Sequence, residues 1–216
     1  MYAEERVKLP KIERRTAART EAGPRHGIQH ILVCLDGSST SSICIAYAQC
    51  LAKTFGSKLT LLHVMEHQDE RSGPHTTDAL GWELMRQEAG ARLKLLQAET
   101  AKITGRQVRG RLEQGRPADR IVAMSRELGV DLVVLGCTDQ DGRASCELGL
   151  TAQQVLAAGR SSVLIARGDS MPPQFAAPKR ILVPLDGSMR TEGVLPTAEN
   201  IARDNGAELL LVHVVA

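Results

Sequence analysis

Residues 30–38 read HILVCLDGS, and this stretch decides the fold class. The aliphatic run predicts a buried strand, and the Asp36-Gly37-Ser38 that follows predicts a turn into a helix capped by Ser38 or Ser39. That helix extends to Gly56, and a second apolar run at 58–65 predicts the next strand. Strand, helix and strand in this order are typical of an α/β protein whose parallel sheet is covered by helices.

The same alternation continues to residue 168. Further helices are predicted at about 78–102, 117–128 and 149–158, and further strands at 107–112, 131–135 and 162–166. Five apolar residues of the second helix recur at helical spacing and are expected to form one buried face: Trp82, Met85, Ala89, Leu93 and Leu96. Short right-handed connections favour a five-stranded parallel sheet of order 3-2-1-4-5 with helices on both faces.

The opening pattern occurs twice. Residues 180–216 align with residues 30–66 at a constant offset of 150, with 14 of the 37 positions identical. We therefore expect a disordered tail at 1–29, a complete domain at 30–168, a linker at 169–179 and the first β-α-β of a second copy at 180–216. Two strands and a helix cannot bury a full core, so the second copy is expected to be truncated or completed by another chain.

Composition narrows the classes of partner and compartment. With 27 basic and 25 acidic residues the net charge is only +2, which indicates neither nucleic acid nor an anionic membrane as a partner. No stretch approaches the roughly 20 apolar residues of a membrane span. The five cysteines include no C-x-x-C pair, so the pattern favours a reducing, cytoplasmic environment over disulfides or a zinc site.

Candidate ligand-binding residues lie where the strand order reverses. In open parallel sheets ligands bind beyond the carboxyl ends of the strands at that point, here between the first and fourth strands. Asp36 could accept hydrogen bonds from an adenine amino group or ribose hydroxyls, and the loop from Gly136 opens a helix whose amides suit phosphate. Each element alone also fits an ordinary turn or helix cap.

Other candidates point to structural roles. His63 and His213 close the second strand of each copy, and a strand-end histidine commonly satisfies backbone groups. Cys137 follows the loop glycine and is expected to face solvent, which leaves a redox role open. No catalytic or metal-binding arrangement is readable, so neither catalytic residues nor metal ligands are predicted.

Four segments resemble the universal stress protein family: HILVCLDGS, KLTLLHVME, LEQGRPADRIVAMSRELGVDLVVLG and the repeated RILVPLDGS. The resemblance covers residues 30–167 and the start of a second domain at 180–216. It implies an adenine-nucleotide alpha-hydrolase-like fold, homodimerisation through strand 162–166 and, in one branch of the family, ATP binding. That branch carries G-x2-G-x9-G-[ST] after the fourth strand.

The residues carried over from the family are Asp36 and Val64 at the adenosine end, Gly136, Gly142, Gly149 and Thr151 in the phosphate loop, and Pro184, Asp186 and Val214 in the second copy. The match is partial. The second motif glycine is Asp139, and the Ser or Thr position is Leu150, with Thr151 one place late and expected to point elsewhere on the helix.

The departures predict weaker ATP binding. The carboxylate of Asp139 would repel the outer phosphates, and Asp141 adds a second negative charge unless magnesium bridges them. We therefore expect AMP or ADP to be retained better than ATP.

The resulting expectation is a cytoplasmic, nucleotide-responsive regulatory protein of the stress response. It would act through homodimerisation and an unidentified protein partner, without membrane or nucleic-acid contact and without catalysis. The alternatives are a dimeric scaffold that binds no nucleotide and, ranked last, a weak ATP hydrolase. Hydrolysis ranks last because the sequence shows no general base, Walker-type lysine or complete metal site.

Overall fold

The computed structural model describes residues 27–38, 40–66, 79–137, 148–159, 161–167 and 178–213. Most of the predicted tail and linker, together with Asp139, Asp141, Gly142 and Val214, lie outside these ranges. The chain divides into two compact units. Among the described residues, the larger unit spans 28–167 and the smaller spans 178–213.

The larger unit alternates strands and helices throughout. Its elements are β1 (His30–Leu35), α1 (Thr40–Phe55), β2 (Lys58–Met65), α2 (Ala79–Thr104), β3 (Val108–Gln114), α3 (Pro117–Glu127), β4 (Leu132–Gly136), α4 (Leu150–Ala158) and β5 (Ser162–Ala166). The strands form one parallel sheet of order β3-β2-β1-β4-β5. The predicted order is confirmed. β3 extends two residues beyond its predicted end because it pairs with β2 through Gln114 opposite Met65.

The helices lie on both faces of the sheet, as predicted. On one face Leu32, Leu62 and Val133 pack with Ile121 of α3 and Val155 of α4. The alternate strand residues point the other way, because side chains of a strand alternate between faces. On that face a β-carbon added to Gly136 would meet α1. Both faces of the central strands are therefore buried, which explains their nearly continuous apolar sequence.

Helix α2 is less buried than its sequence predicts. Of the expected face only Leu93 is buried, while Met85 is 45% exposed and Trp82, Ala89 and Leu96 are partly buried. The prediction of the helix is correct and the prediction of its complete burial is wrong. A cleft, described below, separates this stretch of α2 from the sheet.

The smaller unit consists of β6 (Arg180–Leu185), α5 (Met189–Glu192), α6 (Leu195–Asn205) and β7 (Glu208–His213). Its strands pair in parallel, and Arg180 opposite Glu208 repeats the register of His30 opposite Lys58. The single helix α1 corresponds here to two shorter helices. Among the described helices of both units, none is long and apolar enough to cross a membrane.

Candidate functional site

A crevice opens at the carboxyl ends of β1 and β4, where the strand order reverses. Its volume is about 320 Å³, toward the lower end of the ~300–1,000 Å³ of small-molecule sites. The sequence-predicted residues that line it are Asp36, Val64, Gly136, Gly149 and Thr151. Leu62, Ile121 and Leu135 give it an apolar wall. Five residues predicted from separate stretches of sequence thus meet in one cavity.

Asp36 presents one bonded and one open carboxylate oxygen. Its Oδ1 accepts hydrogen bonds from the Ser38 amide at 2.9 Å, the Ser38 hydroxyl at 2.6 Å and the Ser41 hydroxyl at 3.0 Å. Burial opposes ionisation, but the bonds from Ser38 and Ser41 outweigh it and lower the pKa of Asp36. The group is therefore charged at neutral pH. These three bonds all reach Oδ1, and none of them reaches Oδ2, which leaves Oδ2 able to accept a hydrogen bond from a ligand.

The same turn forms in the smaller unit. Asp186 Oδ1 accepts from the Ser188 amide at 2.9 Å and from the Thr191 hydroxyl at 2.7 Å, and these bonds lower the pKa of Asp186. Gly37 and Gly187 adopt φ values of +81° and +79°, which favour glycine. Because the turn recurs in both units, the bonds to Oδ1 belong to local folding.

The other second-copy candidates lie on the surface of the smaller unit or outside the described residues. Pro184 is exposed in β6, Asp186 is exposed after it, and Val214 lies outside the described ranges. The smaller unit contributes two strands to its sheet, so no counterpart of β4 or α4 is described beside Asp186.

Gly136 lines the crevice and also leaves room for helix α1 on the other face of the sheet. A β-carbon at this position would lie 3.1 Å from Thr40 Cγ2 and 3.5 Å from Cys44 Sγ. Both contacts belong to α1, on the face of the sheet opposite α3 and α4. The glycine therefore lets α1 approach β4 closely, a role that the phosphate-loop interpretation did not include.

The amino end of α4 forms the third wall of the crevice. Gly149 is its N-cap, with an ordinary φ of −59° and nothing within 4 Å of an added β-carbon. Leu150 is 70% exposed, and both Leu150 and Thr151 line the crevice. Thr151 therefore borders the crevice, and the direction of its hydroxyl stays a prediction. The predicted Gly142 lies outside the described residues.

Sequence reasoning missed Glu66 and misplaced Cys137. Glu66 follows β2 directly, two residues after Val64, and lines the crevice, which the period-two alternation of a strand could have indicated. Cys137 also lines the crevice but is only 4% exposed, so the prediction of a solvent-facing thiol is wrong. Burial also raises the pKa of Cys44 to about 12. This thiol is therefore protonated and unreactive at neutral pH.

A second cleft, of about 470 Å³, lies between α2 and the carboxyl ends of β1 and β2. Its lining is mainly apolar and includes Trp82 and Met85, and it shares Val64 and Glu66 with the crevice. His63 lines this cleft rather than the crevice. Its Nδ1 lies 2.8 Å from the Leu35 carbonyl oxygen, in keeping with the predicted structural role.

No group of three or more His, Cys, Asp or Glu side chains in the described ranges is arranged to hold a metal ion. Asp139 and Asp141, which the sequence offers as bridges to magnesium, lie outside those ranges.

Fold and crevice together define an α/β protein with a cavity at a topological switch point, where open parallel sheets bind their ligands. The model of the "Universal stress protein family" matches residues 27–167. A curated universal stress protein of Thermus aquaticus, from the 3′ region of QAH/OAS sulfhydrylase, is 31% identical over 139 residues, covering 63% of this chain and 97% of that protein. The chain belongs to the universal stress protein family.

Solved structures show the same fold. A universal stress protein from Archaeoglobus fulgidus DSM 4304 is 19% identical and has a TM-score of 0.68, over 87% of this chain and 67% of that one. UspA from Lactobacillus plantarum is 22% identical with a TM-score of 0.56, over 65% of this chain and 99% of that one. Family members solved with cAMP and with dAMP have TM-scores of 0.47 and 0.45, and at that similarity they carry no argument about what this chain binds.

Proposed function

We propose that this universal stress protein is a regulatory module that binds an adenine nucleotide in the crevice of its larger unit. The observation that carries the proposal is the open Oδ2 of Asp36, a charged acceptor in a crevice that also contains Val64 and Thr151. The nucleotide would change how the protein dimerises and binds a protein partner in the cytoplasm. In this proposal the larger unit is one complete domain and the smaller unit is part of a second copy.

The crevice offers complementary groups for each part of a nucleotide. Asp36 Oδ2 would accept hydrogen bonds from the ribose hydroxyls or the adenine amino group. Leu62, Val64 and Ile121 would pack against the apolar faces of the base. The amino end of α4, at Gly149 and Leu150, has no side-chain cap from the described residues, and the backbone amides of a helix start favour a phosphate group.

The preferred number of phosphates on the nucleotide follows from two positions at which the loop differs from the family motif. Asp139 stands at the second motif glycine and would place a negative charge near the outer phosphates of ATP. Leu150 replaces a hydroxyl donor at the last motif position. We therefore infer that ADP or AMP binds more tightly than ATP.

The test is a calorimetric titration of the full chain with ADP. Asp36→Asn keeps one oxygen acceptor for the turn and removes the negative charge. Loss of a charged hydrogen bond costs about 1.5–3 kcal/mol, so Kd should rise roughly tenfold to a hundredfold. Asp186→Asn makes the same change in the matching turn of the smaller unit and should leave Kd unchanged. Equal Kd values for the parent and Asp36→Asn would refute the proposed site.

A second comparison separates the alternatives. Nucleotide released from gently purified parent protein and from Asp139→Gly is identified chromatographically. ATP recovered only from the variant would show that one carboxylate weakens triphosphate binding. No nucleotide from either protein, together with no ADP binding, would favour the dimeric scaffold. Phosphate release from ATP would favour the hydrolase.

A further inference from the structure

We propose that the larger unit contains a second ligand site, for a small oxyanion of the phosphate class, at the amino end of its sheet. A cleft of about 230 Å³ lies there, between the start of β2 and the turn that leads from α2 into β3. It is at the opposite end of the strands from the crevice. The inference therefore does not depend on nucleotide binding.

The lining of this cleft carries positive charge only. Lys58, Arg106 and Arg109 line it, and no aspartate or glutamate does. None of the three forms a salt bridge within the described part of the chain, where the ion pairs lie on α2 and α6. Arg106 donates one hydrogen bond to the Gly56 carbonyl at 3.2 Å. Most of the guanidinium donors are thus left for a ligand, and their fork geometry matches phosphate oxygens.

The wall of the cleft contains an ordered polar pair. The Nδ1 of His30 lies 3.2 Å from the Leu128 carbonyl oxygen, and its Nε2 lies 2.9 Å from the hydroxyl of the fully buried Thr60. A carbonyl can only accept, so Nδ1 carries the proton, and Thr60 donates to Nε2 of the neutral ring.

The pKa of His30 depends on the charges around the cleft. Burial is the largest cause that lowers the pKa of His30, and the charges of Lys58 and Arg109 lower it further. The bond to Leu128 and the charge of Asp131 act in the opposite direction. An anion held among the three cations would offset their charge and raise the pKa of His30.

The size and sequence of the cleft define the ligand class. Its volume lies below the ~300–1,000 Å³ of pockets for drug-sized ligands, which favours one phosphate-sized oxyanion over a whole nucleotide. The repeat can be compared at two residues of the site. At the offset of 150, Glu208 stands at the position of Lys58 and Leu210 at that of Thr60. The turn at Asp36 is repeated but Lys58 and Thr60 are not, so these two side chains do not follow from the fold alone.

The experiment is a titration of the full chain with inorganic phosphate. Binding and the pKa of His30 are both measured from the NMR signals of the histidine ring protons. Ionic strength is held constant with chloride, and the His30 signal is assigned from His30→Gln. We expect saturable binding and a higher His30 pKa in the phosphate-bound protein. Lys58→Glu introduces the residue of the smaller unit and should raise the phosphate Kd by roughly tenfold or more, as expected for loss of a charge-assisted contact.

Lys94→Glu is the matched control, because it changes the net charge equally on the exposed side of α2 and should bind phosphate as the parent does. Arg109→Gln gives an independent variant with the same expectation as Lys58→Glu. Equal shifts with chloride alone, or unchanged phosphate affinity in Lys58→Glu and Arg109→Gln, would overturn the proposal. So would loss of phosphate binding in Asp36→Asn but not in these variants, since that result places the anion in the crevice.

Discussion

Two buried threonines show that the effect of a buried hydroxyl on stability depends on whether it has a hydrogen-bond partner. Thr40 Oγ1 is the one buried side-chain oxygen or nitrogen in the described residues without a hydrogen-bond partner. Thr60 is equally buried, but its hydroxyl bonds to His30 Nε2 at 2.9 Å. An unpaired buried polar group costs about 1–3 kcal/mol, whereas a paired one contributes to stability.

We therefore expect Thr40→Val and Thr60→Val to have opposite effects on the free energy of unfolding. Valine keeps the shape of threonine, so Thr40→Val should stabilise the larger unit by roughly 1 kcal/mol. Thr60→Val should destabilise it by about 1–3 kcal/mol, because His30 loses its donor. Urea unfolding of both variants measures the difference. A destabilised Thr40→Val would mean that the Thr40 hydroxyl is bonded in solution.

The carboxylate of Asp36 should make stability depend on pH. Its pKa is lower in the folded protein than the value of about 3.9 for an unperturbed aspartate. Its contribution is thus complete above about pH 4 and is lost as pH falls through the lower folded-state pKa. Asp36→Asn removes this component, so its stability deficit relative to the parent should shrink between about pH 4 and pH 2.

Urea midpoints measured across that pH range provide the check. Ser41→Ala removes one of the donors to Oδ1 and should reduce the pH-dependent component without abolishing it. A deficit of Asp36→Asn that stays constant down to pH 2 would show that the carboxylate is not stabilised by this turn.

At the scale of elements, β1 and β6 have nearly the same sequence but different surroundings. Leu32 of β1 is completely buried, whereas Leu182, the matching residue of β6, is 61% exposed. β1 pairs with β2 and β4 and is covered by α3 and α4, while β6 pairs with β7 in a two-stranded sheet. The same residue therefore faces a packed core in one unit and an open face in the other.

This contrast predicts unequal effects of the same truncation. Leu32→Ala should cost about 2–5 kcal/mol, as expected for a leucine in a packed core. Leu182→Ala should stay within about 0.5 kcal/mol of the parent, as for most surface positions. Denaturant unfolding of the two variants tests this. A cost for Leu182→Ala as large as that for Leu32→Ala would show that another element or chain covers β6 in solution.

At the scale of the whole molecule, the order of the strands could be predicted from the sequence, but the burial of several side chains could not. Apolar runs at regular spacing and short right-handed connections determine the order β3-β2-β1-β4-β5 from local information. The packing role of Gly136 depends instead on its approach to Thr40, almost 100 residues earlier in the chain. The partial exposure of Met85 and the burial of Cys137 likewise depend on how distant segments meet.

The proposed dimerisation belongs to this scale, and β5 is its candidate surface. β5 pairs with β4 along one side and forms an edge of the described sheet. Its Val163, Leu164 and Ile165 are only partly buried, and an open apolar edge favours pairing with another chain. In a twofold pairing of two β5 strands, a charge introduced at the edge would lie close to its symmetry mate and repel it.

We expect the parent protein to be a dimer by light scattering coupled to size-exclusion chromatography, and Leu164→Lys to be a monomer. Leu95→Lys makes the same substitution on α2, where the leucine is 66% exposed, and should remain dimeric. Circular dichroism establishes that each variant is folded. A monomeric parent would refute dimerisation, and a dimeric Leu164→Lys would place the interface elsewhere. If both lysine variants were monomeric, the contact would depend on the charge or the α2 surface rather than on the β5 edge.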